Sequence, residues 1–316
     1  MNYKTKQEIK ARKLLKEYFK DPGYGIYYFY DSKNKRILGE AELVLSKPYN
    51  NLFNHIREDA DFYFKNNKIV WWNTIAHPSG HLLSSQLSCI NHLFYFRNNH
   101  KVATAFLKNL DPNIEEALIL DDGYIEFEKV GKEKLGKEKQ LSRGENCTSI
   151  DAMMLGKKQN GETIIFLIEW KYTELYEQKS LLENDKGYTR WNQYIDLLND
   201  PKSPIKKIEY SFLFYEPFYQ LMRQTLLAWQ MTSKNEYGAT EWRHIDVIPQ
   251  QNLTLRDTIT SSGLNKYGNS VEQVWKNLLK EPIKYIMTTP EYFISPALNY
   301  DYTKDIMEYL KMRYHF

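Results

Sequence analysis

The sequence predicts an α/β fold in which helices flank a mixed central sheet. Two apolar runs of strand length lie on either side of Asn160-Gly161, a dipeptide that favours tight hairpin turns. The second run, residues 164–168, is apolar throughout, which is typical of a strand buried on both faces in mid-sheet. Segments with helical spacing of apolar residues precede and follow this hairpin, so helices are expected on both sides of the sheet.

The helices are predicted from apolar residues that recur every three or four positions and from residues that end helices. In the first helix, apolar side chains lie among lysines and stop before Asp21-Pro22-Gly23. The helix after the hairpin stops at Asn199-Asp200-Pro201. The predicted helices cover residues 6–20, 53–64, 84–96, 112–120, 188–198, 217–231, 271–279 and 305–312.

Strands are predicted where polar and apolar residues alternate, or where short apolar runs are bounded by turn residues. Residues 24–30 and 38–45 are aromatic and partly alternating, which leaves short strands and irregular packing as alternatives. The segment at 242–249 is expected to be the last strand of the core. The predicted core strands cover residues 124–130, 148–155, 164–168, 208–215 and 242–249.

The chain of 316 residues is expected to form a single domain, because no Gly/Ser/Pro-rich linker interrupts it. Residues 78–250 would form the core. Residues 1–77 would be an N-terminal extension packed on that core, and residues 251–316 a helical C-terminal cap.

The composition is that of a cytoplasmic protein. No apolar run approaches the length of a membrane span, and the N-terminal residues lack the apolar region of a secretory signal. The two cysteines, Cys89 and Cys147, lack metal-type spacing and are expected to be free thiols. The net charge of +3 is compatible with a nucleic-acid partner but is weak evidence for one.

Three polar residues at the ends of the two hairpin strands are the candidates for chemistry. Asp151 is the one acid in the first run, and Glu169-Trp170-Lys171 directly follows the second. Charged groups at the end of a buried strand are costly to desolvate unless something compensates them. Side chains alternate along a strand, so Glu169 and Lys171 share a face and Trp170 lies on the other.

The register of the hairpin decides whether Asp151 joins that face. The numbers of directly opposed residues add to a constant, and this constant must be even for Asp151 and Glu169 to share a face. A two-residue turn at Asn160-Gly161 would give an odd value, so a three- or five-residue loop or a bulge is required. With Leu155 opposite Thr163, the two acids would be diagonal neighbours about 7–8 Å apart.

The pattern of Asp151 followed by Glu169-Trp170-Lys171 resembles the PD-(D/E)XK nuclease superfamily, although Ile150 stands where the superfamily has its proline. Two further segments resemble a bacterial group of restriction-endonuclease-like proteins. One is the helix that contains Ser84-Ser85-Gln86, and the other is the helix at 217–228. The resemblance covers residues 80–249 and implies a restriction-endonuclease-like α-β-β-β-α-β core with N- and C-terminal additions.

The resemblance implies a metal-dependent DNA endonuclease of the restriction or defence type. Asp151, Glu169 and the Trp170 carbonyl would hold Mg²⁺ or Mn²⁺, and Lys171 would orient water or phosphate. Gln86, in the predicted helix at 84–96, stands where many superfamily members have a carboxylate in the first helix of the core. This leaves two acids at the metal, or leaves Glu145 to supply a third. The same amide motivates the alternative of a nucleic-acid-binding protein with weak or lost catalysis.

Four residues are candidates for contacts with DNA: Arg143 before the Asp151 strand, Arg190 at a helix start, and Gln220 and Arg223 on the later helix. Arg190 could instead form a surface salt bridge, and Arg223 could pair with Glu216. Likewise, Glu169 and Lys171 could be a structural ion pair at a strand end. Assembly into a homodimer is left open.

Overall fold

In the described part of the chain, the strands form a mixed six-stranded sheet and a separate hairpin. The computed structural model describes residues 1–30, 36–74, 76–139 and 147–314. Strands β1 and β2 pair with each other, and β3 to β8 form the large sheet. The strands are β1 (Ile26–Tyr30), β2 (Arg36–Glu40), β3 (Ile114–Leu118), β4 (Ile125–Lys129), β5 (Ile150–Lys158), β6 (Thr163–Trp170), β7 (Glu241–Val247) and β8 (Tyr285–Thr288).

Ten α-helices surround the strands in the described part of the chain. They are α1 (Tyr3–Leu14), α2 (Arg57–Asn66), α3 (Ser85–Leu93), α4 (His100–Leu110), α5 (Gly187–Asn199), α6 (Phe218–Ser233), α7 (Leu253–Asp257), α8 (Val271–Leu278), α9 (Pro290–Ile294) and α10 (Lys304–Tyr314). None of the helices in these ranges is both long and apolar enough to cross a membrane.

Strand β6 lies in the interior of the sheet, as its apolar run predicts. It pairs antiparallel with β5 and parallel with β7, and β8 continues the sheet in parallel beside β7. The other edge of β5 pairs first with β4 and then, further along, with β3. The predicted mixed α/β architecture with flanking helices is therefore confirmed.

The two faces of the sheet pack against different helices. One face, which includes Phe166 and Ile168, packs in an apolar cluster with residues of α3 and α4. The other face, which includes Met153 and Leu167, packs with residues of α5, α6 and α8. Residues 164–168 are fully buried because both faces are covered.

Helices α1 and α10, near the two ends of the chain, contact α3, the residues just before it and the segment just after β6. The Gln7 side chain in α1 accepts a hydrogen bond from Tyr172 Oη at 3.1 Å, just beyond β6. From α10, Arg313 Nη2 donates to Leu82 O at 2.7 Å, and Tyr314 Oη accepts from Asn91 Nδ2 at 2.9 Å. The segments named as N-terminal extension and C-terminal cap thus contact the core directly, while the proposed boundaries at 77 and 250 remain predictions.

Three predicted elements are wrong. The segment predicted as a helix at 112–120 contains β3, and the helix lies earlier, at α4, where the Asn99 side chain caps its start. The predicted strand at 208–215 is a short 3₁₀ turn (Tyr210–Leu213) whose buried side chains fill the core outside the sheet. Strand β7 is not the last, because β8 from the predicted helical cap extends the sheet. The sequence of a short apolar run fits either a strand or a helix, and tertiary packing decides which of them forms.

Buried His92 in α3 makes the stability of the fold dependent on pH. Its ring packs 4.7 Å from the rings of both Trp170 and Tyr314, and Nδ1 lies 2.6 Å from Ser88 O. Burial lowers the pKa of His92 from 6.5 to about 3, although the contact with Ser88 O opposes the shift. The unfolded chain therefore binds a proton between these pH values that the folded chain does not.

We expect His92 to lower the stability of the fold by about 1.4 kcal/mol for each unit that the pH falls below 6.5, until the pH nears its folded pKa. In the variant His92→Gln this contribution is absent, so the slope of the free energy of unfolding against pH between 6.5 and 4.5 should be smaller by about that amount. Urea unfolding at several pH values measures this slope. Equal slopes for the wild type and the variant would contradict the expectation.

Candidate active site

The register of β5 and β6 brings Asp151 and Glu169 to one face of the sheet. Ala152 pairs with Ile168 and Lys157 pairs with Thr163, so five residues separate the last paired residues of the hairpin. This loop gives the even register that the chemistry requires. The acids are not diagonal neighbours, however, because Leu155 lies opposite Ile165 rather than Thr163. If the register continues for one step beyond its last pair, Ala152–Ile168, Asp151 lies opposite Glu169, and opposed Cβ atoms are about 4.5–5.5 Å apart.

Gly161 makes this loop feasible. Its φ of +87° lies in the left-handed region, where a side chain would be strained, and its N–H donates to Lys158 O at 2.8 Å. Lys158 N–H in turn donates to Glu162 O at 2.8 Å, which closes the loop. The Asn160-Gly161 signal thus places the hairpin correctly, while the loop length comes from the surrounding hydrogen bonds.

Glu169 is the most densely bonded group of the site. Its side chain is buried, with 5% of the residue exposed. Atom Oε1 accepts hydrogen bonds from Lys171 Nζ and from Gln220 Nε2, each at 2.7 Å. Atom Oε2 accepts from Gln224 Nε2. One cation and two amides from α6 therefore compensate the buried carboxylate, as a buried charge requires.

Lys171 is held in its charged form. It is 8% exposed, and its Nζ also donates to Gln220 Oε1 at 2.6 Å and lies 5.9 Å from the centre of the Tyr176 ring. Burial alone would lower the pKa of Lys171, but Glu169, Tyr176, Glu174 and Asp151 outweigh it and raise the pKa. A lysine in this state can hold an anion or orient a water molecule, but it is a poor base.

Asp151 is the more open acid of the pair. Its Oδ2 accepts the backbone N–H of Trp170 at 2.7 Å, and no described residue donates to its Oδ1. Burial raises the pKa of Asp151, and the carboxylates of Glu169 and Glu128 raise it further, while Lys171 opposes them. The indole of Trp170 lies on the opposite face, where Nε1 donates to Ser88 Oγ at 3.1 Å.

Glu128 on β4 is an acid of the site that the sequence analysis missed. In the β4–β5 register it is level with Asp151, between the pairs Phe127–Ala152 and Lys129–Ile150. Its φ of +52° departs from strand geometry, which is unusual for a residue with a side chain. Gln86 Nε2 donates to Glu128 Oε1 at 2.7 Å, and Gln86 Oε1 accepts from Trp72 N–H at 2.9 Å. Gln86 therefore does not bond to Asp151 directly. It holds Glu128, whose charge acts on Asp151.

Asp246 on β7 is a second acid that sequence analysis missed. It is paired in register with Glu169 across the parallel strands, and burial together with Glu169 raises its pKa to about 7. Tyr285 Oη donates to its Oδ2 at 2.9 Å. The alternation of His244, Ile245 and Asp246 was a usable signal for one buried polar face. The register of β6 with β7 was not available from the sequence.

His244 connects this strand to Glu169 through α6. Its Nε2 lies 3.1 Å from Gln224 Oε1, and because an amide oxygen only accepts, Nε2 carries the hydrogen. Burial lowers the pKa of His244 to about 3, so the ring is neutral at physiological pH. Gln224 in turn donates a hydrogen bond from its Nε2 to Glu169 Oε2. This chain of bonds fixes the orientation of the Glu169 carboxylate.

A comparison with protein families identifies the chain. Residues 12–315 match the model of a family described as Restriction Endonuclease associating with ARP. The chain belongs to this family. A search of curated proteins and a search of solved structures each found no match.

Membership in the Restriction Endonuclease associating with ARP family supports the predicted restriction-endonuclease-like class and a nuclease or defence role. The match extends well beyond residues 80–249, which carried the resemblance in the sequence. It includes almost all of the N-terminal extension and the C-terminal cap, so both additions are part of what the family shares.

The residues predicted to contact DNA occupy different environments in this family member. Gln220 belongs to the Glu169–Lys171 cluster described above. Arg190 Nη1 donates to Leu181 O at 2.8 Å and to Asn184 Oδ1 at 2.6 Å, so it fastens a loop. Arg143, like Glu145, lies outside the described residues.

Arg223 on α6 is a partly buried guanidinium with few partners. Its Cζ lies 4.9 Å from the centre of the Tyr219 ring, and its buried Nε has no hydrogen-bond partner among the described residues. Glu216 is close enough for Arg223 to oppose the burial that raises the pKa of Glu216. Within the described ranges, however, no ion pair forms between the two residues, so the predicted alternative of an Arg223–Glu216 salt bridge is wrong.

The donor set of the site suits a hydrated divalent cation. In the part of the chain that is described, no group of three or more His, Cys, Asp or Glu side chains could hold a metal ion. Asp151 and Glu169 nevertheless offer two hard carboxylates on opposed residues, with Asp151 Oδ1 available. Mg²⁺ commonly uses one or two carboxylates and keeps several water ligands. Two such carboxylates are the ligand type of Mg²⁺ or Mn²⁺ bound with much of its water, and the open position is at Asp151, because both oxygens of Glu169 already accept hydrogen bonds.

Removing the lysine should expose the cost of the buried Glu169 charge. We expect Lys171→Met to lower the free energy of unfolding by about 3–5 kcal/mol, because it leaves a buried carboxylate without its cation. The double variant Glu169→Gln/Lys171→Met should recover much of the loss. Urea unfolding in EDTA measures both.

The control for this experiment is Lys158→Met, which removes a lysine from the outer end of the same hairpin, where it pairs with Glu162 at 3.0 Å. Such a pair at the surface contributes about 1 kcal/mol or less. Equal effects of Lys171→Met and Lys158→Met would show that the buried pair has no special role in stability.

Proposed function

We propose that this chain is a metal-dependent DNA endonuclease of the PD-(D/E)XK type, with a restriction or defence role. The observation that carries the proposal is the placement of Asp151, Glu169 and Lys171 on one sheet face at the ends of neighbouring strands. The antiparallel run β4–β5–β6 follows α3, α4 and β3 and is followed by α5, α6 and parallel β7, an arrangement that supports the proposal. The family match supports the nuclease class independently.

Asp151, Glu169 and the Trp170 carbonyl would hold Mg²⁺ or Mn²⁺. Such an ion, when bound, stabilises negative charge on phosphate and lowers the pKa of water. Lys171, which is charged, would hold a phosphate oxygen or orient the attacking water. Gln220 keeps Lys171 and Glu169 aligned through one bond to each. Gln86 would act by positioning Glu128 beside Asp151.

Arg223 and Arg190 would contact the DNA backbone beside this site, together with Arg143. Arg223 is favoured because its guanidinium makes no ion pair among the described residues and lies one turn of α6 from Gln220. Phosphate would supply the charged acceptor that it lacks. Location in the cytoplasm, assembly as a homodimer and association with the ARP of the family name belong to the same proposal.

The proposed hydrolysis is tested by plasmid nicking. We expect nicking in Mg²⁺ or Mn²⁺ and none in EDTA, with Asp151→Ala and Lys171→Ala each slowing it at least about 100-fold, the magnitude typical of lost electrostatic stabilisation. Glu162→Ala and Lys158→Ala, which remove an acid and a lysine from the loop end of the same hairpin, should nick at the wild-type rate. If Asp151→Ala nicks at the wild-type rate, Asp151 has no role in hydrolysis and the proposed mechanism is wrong.

A second candidate function is DNA binding on the same fold with weak or lost catalysis. Two observations favour it. Helix α3 offers the amide of Gln86 instead of a carboxylate, and both oxygens of Glu169 already accept hydrogen bonds. Salt-sensitive DNA binding without nicking, unaffected by Asp151→Ala and Lys171→Ala, would support this alternative against the first.

The backbone contact by Arg223 is tested by the salt dependence of binding. We expect Arg223→Gln to weaken binding to duplex DNA of any sequence and to reduce the slope of log K against log salt by about 1. Gel-shift titrations in EDTA at several salt concentrations measure this slope. A variant with the wild-type slope would show that Arg223 does not touch phosphate.

A further inference from the structure

A cavity of about 390 Å³ lies between α1, β1, the start of α3 and the segment after β6. Its volume falls within the range of about 300–1,000 Å³ that small-ligand sites occupy. Aromatic residues Tyr27, Trp72 and His81 form one part of the lining, and charged residues Lys4, Glu8 and Glu174 form another. Nothing in the hydrolytic mechanism uses this cavity.

The aromatic part offers the ring of Trp72 for a flat ligand to stack on, with Tyr27 and His81 turned edge-on to it at 67° and 85°. The ring centres of Tyr27 and Trp72 are 5.8 Å apart, and those of Tyr27 and His81 are 5.3 Å apart. Asn73 Nδ2 donates to Tyr27 Oη at 2.7 Å, which orients the phenol. Trp72 is nevertheless 48% exposed, a large apolar area to leave open to water. A stacked ligand would cover it.

The polar groups of the cavity match the edges of a nucleobase. Leu83 N–H donates to His81 Nδ1 at 3.1 Å, and burial lowers the pKa of His81 to about 4, so the ring is neutral and Nε2 carries a donor hydrogen. The carboxylates of Glu8 and Glu174 can accept hydrogen bonds from exocyclic amino groups. Lys4, the one cation among the described residues of this lining, is placed to pair with a phosphate of the strand that carries the base.

Two short connections join the cavity to the candidate active site. The backbone N–H of Trp72 donates to Gln86 Oε1, and Gln86 Nε2 donates to Glu128, whose charge acts on Asp151. On the other side, Glu174 lies three residues beyond Lys171 and is close enough to raise the pKa of Lys171. A DNA strand held at Asp151 and Glu169 is therefore near the cavity.

We propose that this cavity binds a nucleobase unstacked from the DNA strand, with the base stacked on Trp72 and its polar edge bonded to His81 and the carboxylates. The proposal rests on the proposed function in that DNA is the ligand. Unstacking a base costs free energy, and stacking the base on an aromatic side chain returns part of that cost. The cavity would thus let the protein sense the identity of one base close to the site of hydrolysis.

The test compares a mixed-base single-stranded 12-mer with an abasic strand of the same length, by fluorescence anisotropy in EDTA. The wild type should prefer the strand with bases. Trp72→Ala should lose about 10-fold of this preference while binding the abasic strand as before, and Trp72→Phe should retain most of it. Phe62→Ala, which removes an exposed aromatic residue of α2 outside the cavity, is the matched control. A Trp72→Ala variant with the full preference would overturn the proposal.

Extrusion from a duplex is tested with 2-aminopurine, whose fluorescence rises on unstacking. A panel of duplexes that carry it opposite a mismatch should brighten with the wild type and not with Trp72→Ala. No brightening with the wild type would refute extrusion.

Plasmid nicking separates this proposal from the proposed function. A preference for strands with bases, without nicking, would support base binding in the cavity and contradict the proposed hydrolysis. Nicking by a wild type that binds base-containing and abasic strands equally well would do the reverse.

Discussion

The buried ion pair of Glu169 with Lys171 is the constraint on which the rest of the site depends. A carboxylate and an ammonium group at the end of an interior strand are costly to desolvate, so every neighbouring element must supply a partner. Helix α6 supplies Gln220 and Gln224, and strand β7 supports Gln224 through His244. The packing of α6 on this face of the sheet is thus set by polar contacts as well as by its apolar side chains.

Adjacent strands place a row of acids across the sheet beside this pair. Asp151 and Asp246 flank Glu169 on neighbouring strands, and Glu128 follows beyond Asp151. Burial raises the pKa values of Asp151 and Asp246, the charge of Glu169 raises them further, and Lys171 opposes both effects. A divalent cation would relieve this repulsion, and this is the physical reason to expect one at Asp151, which is more open than Glu169.

Much of the site could be predicted from the sequence because it follows from alternation along single strands. Asp151, Glu169 and Lys171 lie on the face that the parity of the hairpin requires. Asp246 and Glu128 could not be found in this way, since their place depends on pairing with β6 and β5, which local patterns do not encode. The same limit explains why β8 was not predicted: it has only four residues, and pairing with β7 is what makes it a strand.

The direct test of this account is a crystal structure of the protein soaked with Mn²⁺, with the anomalous signal of manganese used to locate the ion. The account predicts a peak that contacts both the Asp151 and Glu169 carboxylates, with Lys171 displaced from at least one of its present bonds. A site without manganese at saturating concentration, in which Glu169 still accepts from Lys171, Gln220 and Gln224, would contradict the account and leave these residues a structural cluster.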